Sequence, residues 1–288
     1  MPVEVLPAPS VGVASYVQDV LSTARRVALG MRRYPSWLLN LSLGPVFSIL
    51  PFVFMGDSLV GQGNRLTGSL FGPLGFGGYV GYMAVPLVAV ALSNTVFSWV
   101  GGLLRMERSG GTLERVLVSA QFPSALFLGT AVAHLCYMSI FVTATIVLLR
   151  LWVPLDFDID PVSGLAAVAL HLAATYGMAF ALSSLLLRVA DSWAIQTVIA
   201  RAVLALLSGA TFPIAIYPPW LQSVARLVPF TWAFDLERRS LLRAAPIAEL
   251  APDLLVLAGM ALLCWCVGFY FLGRELNAAR RTGVLGGF

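Results

Sequence analysis

Three side chains that could take part in chemistry lie within long apolar stretches of the chain: His134, His171 and Arg201. A histidine beside a serine can activate the hydroxyl as a nucleophile, and Ser139 or Ser183 would have to supply it. No spacing in the sequence fixes such a pair, and no G-x-S-x-G motif is present. We therefore expect no catalytic residue, and we expect both histidines to be neutral rings that hydrogen-bond to neighbouring helices.

Arg201 differs from the histidines because a guanidinium keeps its proton. It lies about a third of the way along its apolar stretch, so its side chain can either reach the membrane interface or face a central cavity. Ionisable residues within a membrane are expensive and are candidates for function. We therefore take Arg201 as a candidate for lining a translocation path.

The overall composition, like the long apolar stretches, indicates the class of protein. The mean hydropathy is +0.86, and 59% of the residues are hydrophobic while 11% are charged. A soluble domain has roughly 25% charged residues. The sequence therefore predicts an all-α protein that crosses a membrane several times, since helices satisfy their own backbone groups in lipid. The cysteines Cys136, Cys264 and Cys266 lie within apolar runs, which predicts neither disulfides nor a metal site.

The chain contains no lysine, and this excludes one class of function. A P-loop needs a lysine that reaches the nucleotide phosphates. No cofactor is therefore expected in this chain. If ATP drives the protein, a partner subunit must bind the ATP and its Mg²⁺.

Six apolar segments are long enough to cross about 30 Å of hydrocarbon as helices. They are Trp37–Met55, Tyr79–Gly102, Ser124–Leu151, Val162–Leu187, Trp193–Ile216 and Leu254–Leu272. Most arginines near the segment ends fall on one side, and the positive-inside rule then puts both termini in the cytoplasm. This divides the chain into an N-terminal segment (1–33), a transmembrane domain (34–272) and a cytoplasmic tail (273–288).

An amphipathic helix is predicted for Val11–Arg33, ahead of the first segment. Its end is crowded with basic residues: Arg25, Arg26, Arg32 and Arg33. Such a helix is typical of the surface of an anionic leaflet. Residues 1–10 lack the basic start of a signal peptide, so cleavage is not expected.

Residues 105–123 form the most charged short segment between two apolar stretches. Gly110 and Gly111 interrupt the preceding helix, and Thr112 can cap a new one. Glu114 would then lie in the first turn, where the helix dipole favours an anion. The pattern predicts a short surface helix that Pro123 ends. A solvated loop is the alternative reading of the same residues.

The last polar region, residues 216–253, is too long for a tight turn. Pro218 and Pro219 are expected to end the fifth span, and two short helices are predicted, Trp220–Leu227 and Phe234–Arg243. The second helix carries many charges. They could form surface salt bridges on an extracellular cap, or Arg238, Arg239 and Arg243 could guide acidic head groups through an outer gate.

Two of these regions resemble one known family. The run from Glu107 to Val118, ERSGGTLERVLV, is similar to the segment between the second and third spans of ABC-2 type transporter permeases. The run SGATFPI from Ser208, followed by PPWL from Pro218 and PFT from Pro229, resembles their re-entrant segment between the fifth and sixth spans. With the layout of the spans, the resemblance covers nearly the whole chain and points to the permeases of drug, lipid and polysaccharide exporters, such as the daunorubicin-resistance permeases.

The resemblance implies a division of roles among the residues. The short surface helix around Thr112–Ala120 becomes a coupling helix that docks on a separate ATPase subunit, and the N-terminal helix becomes an elbow helix. The implied coupling residues are Glu107, Arg108, Gly111, Thr112, Leu113, Glu114 and Leu117. The implied residues of the path or gate are Phe212, Pro213, Pro218, Pro219 and Trp220, and Arg201 joins them as the candidate chosen above for its place inside an apolar stretch.

The function that follows is ATP-driven export of an amphipathic drug, a lipid or a lipid-linked glycan across a bacterial cytoplasmic membrane. Two permease subunits, identical or paralogous, would pair, and each would receive one ATPase subunit. Membrane lipids are expected around them, and no nucleic acid. An ion-coupled secondary transporter or a channel is the alternative, but no carboxylate lies well inside any of the six segments.

Overall fold

The computed structural model describes residues 12–33, 47, 51, 79–109, 124–152, 158–186, 189 and 192–282. Throughout these residues the regular structure is helical. The helices are α1 (Val13–Arg32), α2 (Tyr79–Ser109), α3 (Ser124–Trp152), α4 (Pro161–Leu185), α5 (Ser192–Leu206), a 3₁₀ turn (Ile214–Ile216), α6 (Pro219–Arg226), α7 (Pro229–Leu242) and α8 (Ile247–Thr282). The predicted first span and the predicted coupling helix lie outside the described residues, apart from residues 47 and 51.

Three stretches of the described helices are long and apolar enough to cross a membrane: Tyr82–Gly102, Pro161–Leu185 and Ile247–Glu275. Two shorter apolar stretches, Ser124–Met138 and Ser192–Leu206, accompany them. These helices confirm the prediction of an all-helical protein that crosses a membrane several times, while the number of six spans stays a prediction.

The predicted fifth span, Trp193–Ile216, is too long. Helix α5 ends at Leu206, well before Pro218 and Pro219, which were expected to end it. The break falls at Gly209, whose φ of +68° is a left-handed conformation that a helix cannot continue through.

Helices α2 and α5 run antiparallel. The Tyr82 hydroxyl, near the start of α2, donates to the Gly209 carbonyl just past the end of α5 at 2.9 Å. Near the other end, the Gln196 amide of α5 donates to the Phe97 carbonyl of α2 at 3.4 Å. The chain therefore passes back along α2 when it forms α5.

Helices α4 and α8 run parallel and in close contact. The Trp265 indole donates to the Ala173 carbonyl at 3.0 Å, and one helical turn further along Gly177 faces the same tryptophan. Further still, the ring of Phe180 lies against Gly268, where an added Cβ would come within 2.3 Å of a ring carbon. Small residues let the two backbones approach, as in other membrane helix pairs.

We expect Gly268→Ala to destabilise the fold by about 1–3 kcal/mol, because the ring of Phe180 is packed on several sides and cannot retreat. The Phe180 ring contacts the rings of Phe127, Trp265 and Phe269 at centroid distances of 4.6, 5.4 and 5.2 Å. The measurement is the apparent melting temperature of the purified chain in mild detergent. Gly259→Ala on the same helix is the matched control, since nothing lies within 4 Å of its added Cβ. Equal melting temperatures for the two variants would contradict the packing argument.

Helix α1 runs alongside the first half of α3. The Tyr16 hydroxyl lies 3.3 Å from the Ser124 hydroxyl, and the Tyr137 hydroxyl donates to the Ala28 carbonyl at 3.4 Å. The contacts advance along both helices in the same direction, so the two helices are parallel. A helix lying in the membrane plane would meet a crossing helix at one level only. The geometry thus differs from the expectation of an interfacial helix, because the arginine-bearing end of α1 lies level with the middle of α3.

The junction between α7 and α8 is fastened to the start of α4. The Ala244 amide donates to the Asp158 carbonyl at 2.7 Å, and the Ser163 hydroxyl donates to the Ala245 carbonyl at 2.8 Å. Asp160 caps α4 by accepting the Ser163 amide at 3.0 Å. Hydrogen bonds from the Ser163 side chain and backbone hold the pKa of Asp160 below its ordinary value. These contacts position α7 beside α4.

Candidate functional site

The site is built where α5 ends, because a helix end leaves carbonyl groups without partners. The chain turns at Gly209, and α7 supplies the missing donors. The Arg238 guanidinium donates to the carbonyls of Gly209 at 2.7 Å, Ala210 at 3.3 Å and Tyr82 at 2.9 Å. The Thr231 hydroxyl lies 2.9 Å from the Leu207 carbonyl and 2.7 Å from the Ala225 carbonyl of α6. One helix therefore holds the broken end of another.

Arg238 is a buried cation. Its side chain is 3% exposed, and its guanidinium carbon lies 3.7 Å from the centre of the Tyr82 ring. A cation over an aromatic face, with its N–H groups given to carbonyls, is well stabilised away from water. The suggestion that Arg238 guides acidic head groups is therefore wrong, since its side chain is buried and is directed at carbonyls inside the protein.

Glu237, the residue before Arg238, is also buried and points to a different neighbour. Its carboxylate lies 2.8 Å from Nδ1 of His171 in α4. On the other side of the ring, Nε2 lies 2.8 Å from the Ser93 hydroxyl of α2. His171 and Ser93 are fully buried, and Glu237 is 3% exposed. A polar chain thus connects three helices through the interior.

Glu237 was expected among the surface charges of the second short helix, and its contact with His171 was not predicted. The spacing along α7 could have predicted that Glu237 is buried, because residues at i, i+3, i+4 and i+7 share a helix face. Phe230, Ala233, Phe234 and Glu237 have this spacing, and all four are buried. Glu237 therefore continues the apolar stripe of α7.

Arg239 lies on the other side of α7 and agrees with the prediction of surface ion pairs. It is 21% exposed and contacts the carboxylates of Asp253 at 2.6 Å, Glu249 at 3.0 Å and Asp235 at 3.5 Å. Exposed pairs of this kind each contribute about 0–1 kcal/mol. This cluster joins α7 to the start of α8.

His134 belongs to a second buried polar group. Its Nδ1 hydrogen-bonds to the Tyr176 hydroxyl of α4, and its ring stacks on Trp99 of α2 with centroids 5.1 Å apart. Both histidines are thus hydrogen-bonded to neighbouring helices, as expected. His171 differs by having a carboxylate partner.

Arg201 lies on the exposed face of α5. The opposite face, with Gln196, Ala200 and Leu204, is buried. Among the described residues no side chain pairs with Arg201. It precedes Gly209 by eight residues, about 12 Å along a helix axis. The structure therefore does not bring Arg201 together with Arg238.

The other predicted path and gate residues follow the end of α5. Phe212 and Trp220 are 51% and 67% exposed, Pro213 is buried, and Pro218 and Pro219 are exposed at the start of α6. Helix α6 begins at Pro219 and ends at Arg226, close to its predicted bounds. Helix α7 begins five residues before its predicted start, because Pro229 opens it at the first helical position, where proline is tolerated.

The predicted coupling residues are described in part. Glu107 and Arg108 lie in the last turn of α2, while Gly111, Thr112, Leu113, Glu114 and Leu117 lie outside the described residues. The three arginines of α1, Arg25, Arg26 and Arg32, are exposed, and so is Arg33, which follows the helix.

Comparison with known proteins identifies the family. The model of the ABC-2 type transporter family matches residues 29–242, which include the polar network and both short helices. No curated protein matches the chain significantly. Because the match covers well over half of the 288 residues, this chain belongs to the ABC-2 type transporter family and is a membrane permease of an ABC-type transporter.

Proposed function

We propose that this permease is the membrane subunit of an ATP-driven exporter. The family match across residues 29–242 is the observation that carries the proposal. Permeases of this family work with an ATPase subunit, and a chain without lysine cannot supply a P-loop of its own. In the proposed complex two permease subunits pair, and each binds one ATPase subunit that holds the ATP and Mg²⁺.

The proposed coupling element is the segment between α2 and α3. Leu113 and Leu117 would be its apolar contacts with the ATPase, and Glu107, Arg108 and Glu114 its polar contacts. Gly111 and Thr112 would start the coupling helix. Both termini would then lie in the cytoplasm.

The proposed gate is the region from the end of α5 to α7, on the extracellular side. Phe212 and Trp220 are large exposed apolar side chains that could contact an amphipathic cargo, and the turns at Pro213, Pro218 and Pro219 shape the segment. Arg201 would line the path below them. A drug, a lipid or a lipid-linked glycan would suit such a lining.

One observation favours the alternative, an ion-coupled secondary transporter. No carboxylate lies inside the predicted spans, but Glu237 of α7 contacts His171 of the apolar helix α4. Buried ionisable groups of this kind occur in proton-coupled transporters. Membership of an ATP-dependent family weighs against this alternative. If transport requires a partner ATPase, the ion-coupled transporter is excluded.

The first experiment is to tag the chain, extract it from its native membrane in mild detergent and identify the co-purifying proteins by mass spectrometry. We expect a soluble ATPase with a lysine-bearing P-loop. Glu114→Arg should reduce its recovery at least roughly tenfold, because a charge reversal at a docking contact costs several kcal/mol. Asp158→Arg, a charge reversal at the other end of the proposed membrane domain, is the control and should leave recovery unchanged. Recovery of this chain alone would reject the proposal.

A further inference from the structure

We infer that the cargo of this permease is an amphiphile with an anionic head group, a phosphate or a carboxylate, and that Arg201 of α5 and Arg226 of α6 bind this group near the middle of the membrane. The assignment of the anion to a cargo rests on the proposed function. The site with two arginines depends only on the geometry and the charges of the chain itself.

The stretch that forms α5, the following turn and α6 carries charge of one sign. Between residues 192 and 234 the charged residues are Arg201 and Arg226. Both are exposed, and within the described ranges neither guanidinium has a hydrogen-bond or ion-pair partner. The acidic residues that follow on α7, Asp235 and Glu237, contact other side chains. Two positive charges therefore lack an anion in the described part of the chain.

The contacts of α7 show how deep Arg226 lies. The last turns of α7 are level with the start of α4, where the Asp160 amide donates to the Ser240 carbonyl at 3.1 Å. The first turn of α7 is deeper, since the ring of Phe230 lies 6.1 Å from the ring of His171. His171 is about 15 Å along α4 from its first residue, which is half of a hydrocarbon layer of roughly 30 Å. Arg226 ends α6 just before α7 begins, so it lies near half depth.

The end of α6 is fastened to the end of α5, and this brings Arg201 within reach of the same ligand. The Thr231 hydroxyl lies 2.9 Å from the Leu207 carbonyl, just after α5, and 2.7 Å from the Ala225 carbonyl of α6. Arg201 precedes Leu207 by about 9 Å along the helix axis. Arg226 follows Ala225 directly. Two extended arginine side chains with a head group between them span a separation of this size.

The surface beside each arginine is apolar. Val198, one helical turn before Arg201, is exposed, and so is Leu227, which follows Arg226. A charge is costly against hydrocarbon, and a guanidinium binds a phosphate or carboxylate through several N–H donors at once. A ligand that suits both features has an anionic head group and an apolar tail. An uncharged cargo would leave both positive charges unmatched.

The test measures the binding of radiolabelled dodecyl phosphate to the full chain in nanodiscs of phosphatidylcholine, with partition into empty nanodiscs subtracted. We expect saturable binding that is at least roughly tenfold tighter than that of dodecyl maltoside, which has the same tail and no charge. Arg201→Gln and Arg226→Gln should each weaken the binding of dodecyl phosphate by roughly tenfold or more. Neither variant should change the binding of dodecyl maltoside.

Arg274→Gln is the matched control. Arg274 is an exposed arginine near the end of α8, and its replacement changes the net charge by the same amount. This variant should bind dodecyl phosphate like the unmodified chain. Equal affinities for the two probes would overturn the proposal, and so would glutamine variants at 201 and 226 that bind dodecyl phosphate as tightly as the control. If a variant fails to assemble, the preference of the unmodified chain between the two probes decides.

A membrane lipid is the other source of an anionic head group. The titration is therefore repeated in nanodiscs of phosphatidylglycerol, again with partition into empty nanodiscs subtracted. A site for a cargo should still bind dodecyl phosphate there. Loss of binding would mean that an anionic membrane lipid fills the site, and it would overturn the assignment to a cargo.

The binding test is independent of the exporter assignment, since no ATPase is present in the sample. Preference for the anionic probe in a chain that recovers no ATPase would keep the anion site and reject the exporter. Recovery of the ATPase by a chain without this preference would reject the anion site and keep the exporter.

Discussion

Replacement of Arg238 by methionine is expected to lower the free energy of unfolding by about 3–5 kcal/mol. The variant removes the donors that Arg238 gives to the carbonyls of Ala210 and Tyr82, and it leaves the Gly209 carbonyl with the Tyr82 hydroxyl as its remaining donor. It also leaves the buried charge of Glu237 without its neighbouring cation. Methionine has a similar length, so lost packing contributes little.

The measurement for Arg238→Met is unfolding of the purified chain by added SDS in mixed micelles. Arg239→Met is the matched control on the same helix, because its partners are partly exposed carboxylates, and it should cost no more than about 1 kcal/mol. Arg238→Lys should recover only part of the loss, since an ammonium lacks the planar fork that reaches several carbonyls. If the methionine variants at 238 and 239 unfold alike, Arg238 does not hold the end of α5.

Position 201 is expected to react with a charged, water-soluble thiol reagent at least roughly tenfold faster than a lipid-facing position of similar exposure. An arginine on the open face of an apolar helix is costly against lipid, so this face of α5 should meet water or a partner subunit. The measurement is labelling of Arg201→Cys in a chain whose own three cysteines, Cys136, Cys264 and Cys266, have been replaced by serine.

Leu262→Cys in α8 is the control for Arg201→Cys, because Leu262 is 66% exposed on a long apolar helix. Fast labelling at 201 and slow labelling at 262 would place α5 beside an aqueous path. Cargo-stimulated ATP hydrolysis of the complex should then fall in Arg201→Ala while its stability in detergent stays unchanged. Slow labelling at both positions would mean that Arg201 lies against lipid or in a tight contact, and would remove it from the path.

Local patterns in the sequence were sufficient for several conclusions. Hydrophobicity over about 20 residues depends only on neighbouring positions, so the membrane class and the bounds of α3 and α4 could be predicted within two residues. The two matching runs likewise pointed to the family that the family model confirms. The absence of lysine excluded a P-loop without any structure.

The end of α5 could not be predicted in this way. Glycine is common in membrane helices, so Gly209 within an apolar run gives no signal by itself. The turn is stable only because Tyr82 and Arg238, distant in the chain, supply donors to the carbonyls that it releases. The tertiary structure therefore determines which glycine ends the helix.

The role of Glu237 and Arg238 also depended on the tertiary structure. Adjacent charges on a short polar helix usually face water, and the sequence determined only that α7 would be helical and charged. Neighbouring helix residues point about 100° apart, so both side chains can be buried only when other helices surround α7 on more than one side. Helices α2 and α4 do so, with Tyr82 receiving the arginine and His171 the carboxylate. The physical reason is that a buried charge is stable where its partners converge, and that convergence comes from packing between distant segments.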